Sequence, residues 1–263
     1  MTVERAGSLR RALGLLEILG TDDVVAAGGS GVTELAALTG RDKSQVSRML
    51  ATLAGAGFVD RDPRTRRYRL GWQVFALAAR SGDQRLLAAA APVLVRLVRE
   101  TGESSHLSVL RGGAVLTLLT ESPPRAVQAV SWVGRLVPVA STSSGRALTM
   151  DHERADLVAL VGESGWERPT SKAPADVDEL LARIRLARAV GYARVEEETE
   201  PGLVAVAAPV RDAGGRIVAA VNISAPRFRL GRGLARAGDA VMAAAAEFTA
   251  ALGQPALIEE ALA

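Results

Sequence analysis

The stretch VTELAALTGRDKSQVSRMLATLAGAGFVDRDPRTRRYRL, residues 32–70, decides the architecture of the first part of the chain. Val32, Leu35, Ala36 and Leu38 mark a short apolar stripe at helical spacing, and Gly40 ends it, because glycine takes a left-handed cap without a steric penalty. Asp42 and Gln45 have the spacing of a capping box. Val46, Met49, Leu50 and Leu53 then repeat at i, i+3, i+4, i+7, so the pattern is helix, tight turn, helix. Burying that stripe leaves Lys43, Ser44, Ser47, Arg48 and Thr52 around the outward side of the second helix, with Gln45 near its first turn. Short hydrogen-bonding and cationic side chains on one helix suit the phosphate oxygens and base edges of a DNA major groove, which admits a single helix.

After Gly55 and Gly57 come two strand-like runs, Phe58 to Arg61 and Arg66 to Leu70, joined by Asp62-Pro63-Arg64-Thr65. Proline at the second position of that turn favours type I geometry. Arg67 and Arg69 alternate with Tyr68 and Leu70, so one face of the hairpin is cationic and the other can pack. A basic hairpin directly behind a helix-turn-helix reads as a wing, with Arg64, Arg66 and Arg67 placed to engage phosphate or the minor groove. Residues 40–70 carry eight basic side chains against three acids, a local charge of +5 in a chain whose total is +3. Such a concentration is what phosphate neutralisation requires.

Upstream, Leu9, Leu13, Leu16 and Leu19 share a helical stripe within residues 8–20, while Leu15 and Ile18 lie off it. A helix apolar on several sides is either fully buried or packed on its own core and on a partner subunit. Downstream, residues 72–80 return to a helical pattern that stops near Ser81-Gly82. The expected division is therefore a winged helix-turn-helix domain over residues 1–71, a connecting helix over 72–82 and a second domain over 83–263. Residues 84–101 read as that domain's first helix, bent or divided at Pro92. SSHLSVLR and AVLTLLTE flank Gly112-Gly113, and VAVAAPVR and RIVAAVNIS flank Ala213-Gly214-Gly215. Both read as hairpins. With helical segments near 151–160 and 175–190 and an Ala-rich helix after Gly233, the class is α+β, an antiparallel sheet with flanking helices.

Composition removes several function classes. The chain has no Cys and only two His, so a thiolate nucleophile, a structural zinc or a disulfide frame lacks its usual ligands, and no metal or cofactor is expected. No apolar run approaches the roughly 20 residues that span a bilayer, so a cytoplasmic protein is expected. The STSSG segment at 141–145 lacks the patterns of a nucleophile elbow or a phosphate loop, and no catalytic residue is assigned. His106, between Ser104 and Ser108 on an alternating strand, reads as a satisfied sheet residue whose face could border a pocket. The acidic run Glu196, Glu197, Glu198 and Glu200 reads as a solvated turn. Trp132 and Trp166 fit a pocket wall or ordinary core equally well.

Three further segments bear on identity: TGESSHLSVL (101–110), VGRLVPVASTSSGRAL (133–148) and GYARVEEETEPGLVAVAAPVRDAGGRIVAAVNISAPRFRL (191–230). Together with SLRRALGLLEILG (8–20) and the helix-turn-helix, they make the chain resemble the IclR family of bacterial transcription regulators over nearly its whole length. The resemblance implies a GAF-like C-terminal domain enclosing an effector, a small organic acid or an aromatic metabolite. It also implies a homodimer or a dimer of dimers on double-stranded DNA with an approximately palindromic operator. Carried over by motif position, the pocket would include Ala126, Ala129, Val137, Ser143, Ser144, Gly145, Val195, Leu203, Ala205, Asn222 and Ser224. The amides around Ser143 to Gly145, the Ser224 hydroxyl and the Asn222 amide would bind a carboxylate. Val195 and Ala205 make the implied pocket less polar than one built for a two- or three-carbon acid. The alternative function is a metabolite-sensing or enzymatic chain whose basic module makes protein contacts.

Overall fold

The computed structural model describes residues 2–78, 84–124, 132–162, 166 and 168–253, and the chain divides into two compact units, Met1–Gln84 and Arg85–Ala263. In the first, helices α1 (Thr2–Leu19), α2 (Asp22–Ala26), α3 (Val32–Thr39) and α4 (Lys43–Gly55) precede a hairpin of β1 (Val59–Arg61) and β2 (Tyr68–Leu70), and α5 (Trp72–Ala78) follows. Leu15 and Leu19 of α1, Leu35 of α3, and Val46 and Leu50 of α4 close on Val59 and Tyr68 in a single core. Gly40 does take the left-handed conformation, at φ +62°, and Asp42 caps α4 by accepting from Ser44 N (2.8 Å) and Gln45 N (3.4 Å).

The hairpin strands are shorter than their sequence pattern, for a local reason. The Asp62 carboxylate accepts from the amides of Arg64 (2.8 Å) and Thr65 (2.7 Å), and Asp62 O accepts from Arg66 N (2.9 Å). That places Arg66 at φ +59° and keeps it out of the strand. Ser30 and Tyr68 exchange two backbone hydrogen bonds (2.9 and 2.8 Å), joining the segment before α3 to β2. A Cβ on Gly29 would stand 2.4 Å from Tyr68 O, so this join requires glycine there.

The second unit is built on a six-stranded antiparallel sheet. Its strands are β3 (Ser104–Arg111), β4 (Ala114–Glu121), β5 (Leu136–Pro138), β6 (Ala193–Glu196), β7 (Leu203–Arg211) and β8 (Ile217–Pro226), in the order β5-β4-β3-β8-β7-β6. Alternation along the strands divides their side chains between two faces. Leu107, Val109, Val206, Val221 and Ile223 pack against α6 (Gln84–Thr101) and α11 (Leu234–Gly253). Val115, Ala207 and Ala220 face α7 (Ser143–Leu148), and α8 (Arg154–Val161) and α9 (Val177–Val190) pack beyond it. The short α10 (Arg227–Leu230) and one 3-10 turn lead into α11.

α6 runs unbroken through Pro92. Pro92 and Ala88, whose carbonyl loses its partner, are both exposed, so water can satisfy that oxygen. Among the described residues no helix is long and apolar enough to cross a membrane, and no group of three or more acidic or His side chains is placed to hold a metal.

Candidate functional site

Two surfaces carry the chemistry, one in each unit. On α4, Lys43, Ser44, Gln45, Ser47 and Arg48 are all exposed, on the side away from buried Val46 and Leu50. The Ser44 hydroxyl and amide both donate to Asp42 and hold its carboxyl below the usual range, so this serine also fixes the helix start. In the hairpin, Arg64 and Arg66 are exposed. Arg67 is half-buried and turned inward: its Nε donates to Gly29 O (2.7 Å) and its Nη2 to Glu34 (3.1 Å). The cationic group of three expected from sequence is thus two open arginines beside one that ties the wing down.

In the second unit, the sheet face under α7 forms one wall of a partly open pocket. β3 supplies His106 and Ser108, β4 Val115 and Thr117, β5 Val137, β7 Leu203 and Ala205, and β8 Asn222 and Ser224. Thr142, Ser143 and Ser144 close it from the start of α7, with Trp132 and Thr199 from connecting segments. Antiparallel register brings these positions together: His106 stands opposite Thr120 and Asn222, and Ser224 opposite Ala205.

Seven expected positions meet here: Val137, Ser143, Ser144, Leu203, Ala205, Asn222 and Ser224. Val195 pairs with Ala205 in the ladder but does not reach the cavity. Gly145 does not line it either; a Cβ there would stand 2.1 Å from Val139 O, so glycine serves the close seating of α7, and its amide already donates to Thr142 Oγ1 (3.1 Å). Ala126 and Ala129 lie outside the described residues.

The pocket is also more polar than expected, because Ser108, Thr117, Thr142 and Thr199 line it beyond the carried-over set, and His106, read as a sheet residue whose face could border a pocket, lines it too. His106 Nδ1 lies 2.9 Å from Thr120 Oγ1 and Nε2 2.9 Å from Ser224 Oγ. Burial pushes its pKa down to about 4, so the free protein holds it neutral near pH 7. The alternation of Ser104, His106 and Ser108 was the available signal, since residues two apart share a face.

The acidic run is a solvated turn only in part: Glu200 is exposed, but Glu198 is buried. Glu198 is 7% exposed and faces Arg146 of α7, itself 2% exposed. Arg146 Nη1 donates to Glu198 Oε1 (3.0 Å) and Arg194 O (2.9 Å), and Nη2 donates to Glu198 Oε2 and to Ala140 O (3.2 Å). Arg183 of α9 reaches the same carboxylate and also Lys172 O (2.9 Å). Next to this cluster Thr199 Oγ1 donates to Ser141 O (2.7 Å). The fork of Arg146 thus clamps the segment that carries Thr199 against the one that carries Ser143 and Ser144, holding two pocket walls in register.

Residues 8–63 match the family model of the IclR helix-turn-helix domain, and residues 80–250 match that of the bacterial transcriptional regulator IclR C-terminal domain. The chain is 32% identical over 251 residues to the HTH-type transcriptional regulator BhcR of Paracoccus denitrificans, covering 94% of this chain and 88% of that protein. A crystal structure of an IclR transcriptional regulator from Alicyclobacillus acidocaldarius superposes with a TM-score of 0.75 at 27% identity, covering 94% of this chain and 99% of that one. An IclR homolog from Microbacterium hydrocarbonoxydans, complexed with 4-hydroxybenzoate, shares the fold with a TM-score of 0.77 at 23% identity, covering 93% and 98%.

Proposed function

The chain belongs to the IclR family of bacterial transcriptional regulators, DNA-binding proteins with an effector domain, and on that premise we propose how its two surfaces are used. α4 enters the major groove with Lys43, Gln45, Ser47 and Arg48 toward the bases and phosphates, Ser44 at the helix start, and the wing grips the adjacent backbone. The observation that carries this is the uninterrupted exposure of those side chains on one side of α4, beside the open Arg64 and Arg66. The active species is a homodimer: Leu9 and Leu13 of α1 and Trp72 and Phe75 of α5 are large apolar side chains left exposed, Leu9 at 63% and Trp72 at 76%. The pocket of the second unit takes a small organic acid, whose carboxylate meets the hydroxyls and amides of Ser143, Ser144, Asn222 and Ser224. Burying a carboxylate is costly unless its oxygens find donors, and the lining is rich in them.

Selection from a pool of random-sequence duplexes tests the DNA reading. Recovered sites should be inverted repeats, as two-fold symmetry of the protein requires. On a recovered site, Arg48→Ala should cost about 1–3 kcal/mol and relax base preference, the signature of a base contact. Unchanged affinity in both Arg48→Ala and Ser47→Ala would remove α4 from the interface.

A salt titration separates the wing arginines. Arg64→Ala and Arg66→Ala should each flatten the plot of log affinity against log salt by about 0.9, the effect of one phosphate contact. Arg67→Ala should leave the slope in place, because its guanidinium is engaged with Gly29 and Glu34. Equal slopes for Arg64→Ala, Arg66→Ala and wild type would exclude the wing from phosphate binding.

A further inference from the structure

Among the described residues, fourteen line the pocket and only one of them, His106, can change its charge near neutral pH. No arginine or lysine is among them. The elements packed around the ring present neutral groups to it: Thr120 from β4, Asn222 and Ser224 from β8, Ser143 and Ser144 from α7. The charged groups on those elements are engaged or distant. Arg146 is ion-paired with Glu198, Glu103 before β3 is held by Arg229, and Glu121 ends β4 opposite Ser105. Burial alone sets the ring's titration.

We propose that His106 is the charge partner of the effector: an acid enters this pocket together with a proton, taken from solvent by His106 as the carboxylate settles against Ser224. This rests on the reading of the pocket as an acid-binding site. A neutral imidazole has one donor and one acceptor nitrogen, so one of its two hydroxyl partners, Thr120 or Ser224, must donate to it. Once protonated, both nitrogens donate. Ser224 then accepts from Nε2, and its own hydrogen is released for the carboxylate. Protonation thus supplies a cation and a correctly aimed donor in one step.

The magnitudes make the coupling effective near neutrality. In the free protein a pKa of about 4 disfavours protonation at pH 7 by about a thousandfold. A carboxylate oxygen accepting from Ser224 would stand on the order of 4–5 Å from Nε2. At an effective dielectric of about 20 its attraction shifts the protonation equilibrium by several hundredfold to a thousandfold. The two effects are comparable, so binding the anion brings His106 into its titration range. An ester or amide of the same acid brings no charge and takes up no proton.

The test is calorimetry on the full chain with sodium 4-hydroxybenzoate, pyruvate and glycerate, in phosphate and Bis-Tris at pH 6 and 7 and in phosphate and Tris at pH 8. For an acid that binds, the buffer dependence should report a fractional proton taken up at pH 7, growing toward one at pH 6. Affinity should rise about threefold to tenfold from pH 8 to pH 6, the direction linkage requires when the complex holds the extra proton. His106→Gln keeps a neutral donor but cannot be charged, so uptake and pH dependence should vanish and affinity should fall. The ring nitrogen resonances of wild-type His106 give the same answer without a variant, by moving toward imidazolium values on saturation, furthest at pH 6. Binding with no proton uptake and an unchanged ring would overturn the inference and leave the acid site standing. Proton uptake that persists in His106→Gln would also overturn it. Failure of all three acids to bind would overturn the acid-site reading as well.

Discussion

Glu198→Ala should destabilise the second unit by about 3–5 kcal/mol, the usual consequence of removing one partner of a buried ion pair. The loss comes from what remains behind: Arg146, almost wholly enclosed, would keep Ala140 O and Arg194 O as acceptors but have no counter-charge, while Arg183 would lose its inner anchor. Replacing both partners by apolar side chains, Arg146→Met with Glu198→Leu, should cost much less, because no wholly enclosed charge is then stranded: Arg183 is part-exposed and keeps Glu179. Urea unfolding followed by circular dichroism measures both. A loss below about 1 kcal/mol for Glu198→Ala would mean that water reaches Arg146 and that the pair is not a clamp.

Acid should weaken the same unit over a defined window. His106 has a pKa of about 4 when folded, against 6.5 for the unperturbed side chain. Between those values the unfolded chain binds a proton that the folded protein refuses, so stability falls as pH drops from about 6.5 toward 4 and the contribution is complete below that. The full span is worth about 3 kcal/mol. His106→Gln should remove this part of the acid sensitivity, and the difference between the two stability profiles isolates it from the carboxylates that titrate lower, such as Asp151. Parallel profiles for wild type and His106→Gln between pH 7 and 4 would show that the ring is not buried neutral.

The helix-turn-helix is legible in one dimension because all its determinants are local: the stripe from Val46 to Leu53, the glycine at 40 and the cap at 42 lie within one another's reach along the chain. The two hairpins of the second unit are legible for the same reason, each closed by glycines between alternating strands. The strand order is not, since β3 pairs with β8 across more than one hundred residues and nothing in either sequence fixes the partner. The pocket was legible by half. The resemblance supplied positions such as Ser143, Asn222 and Ser224, but His106 and Thr117 join them only because β3 lies between β8 and β4 in the sheet. The acidic run misled for a related reason: charges in sequence read as solvated unless the partner is adjacent, and Arg146 lies 52 residues before Glu198. Arg67 shows the same limit at short range, being indistinguishable by type from Arg66, yet turned inward by the backbone of Gly29 and the carboxylate of Glu34.

The join between Ser30 and Tyr68 has a thermodynamic consequence for recognition. Two backbone hydrogen bonds, the inward guanidinium of Arg67 and the Asp62 turn hold the hairpin against the base of α3. Its conformational entropy is therefore lost when the unit folds, not when it meets DNA. A floppy hairpin of the same charge would have to be ordered at the moment of association, with each immobilised side chain and loop residue subtracting from affinity. On the proposed reading the wing arrives already arranged, and the attraction of Arg64 and Arg66 for phosphate would be left to appear as binding free energy.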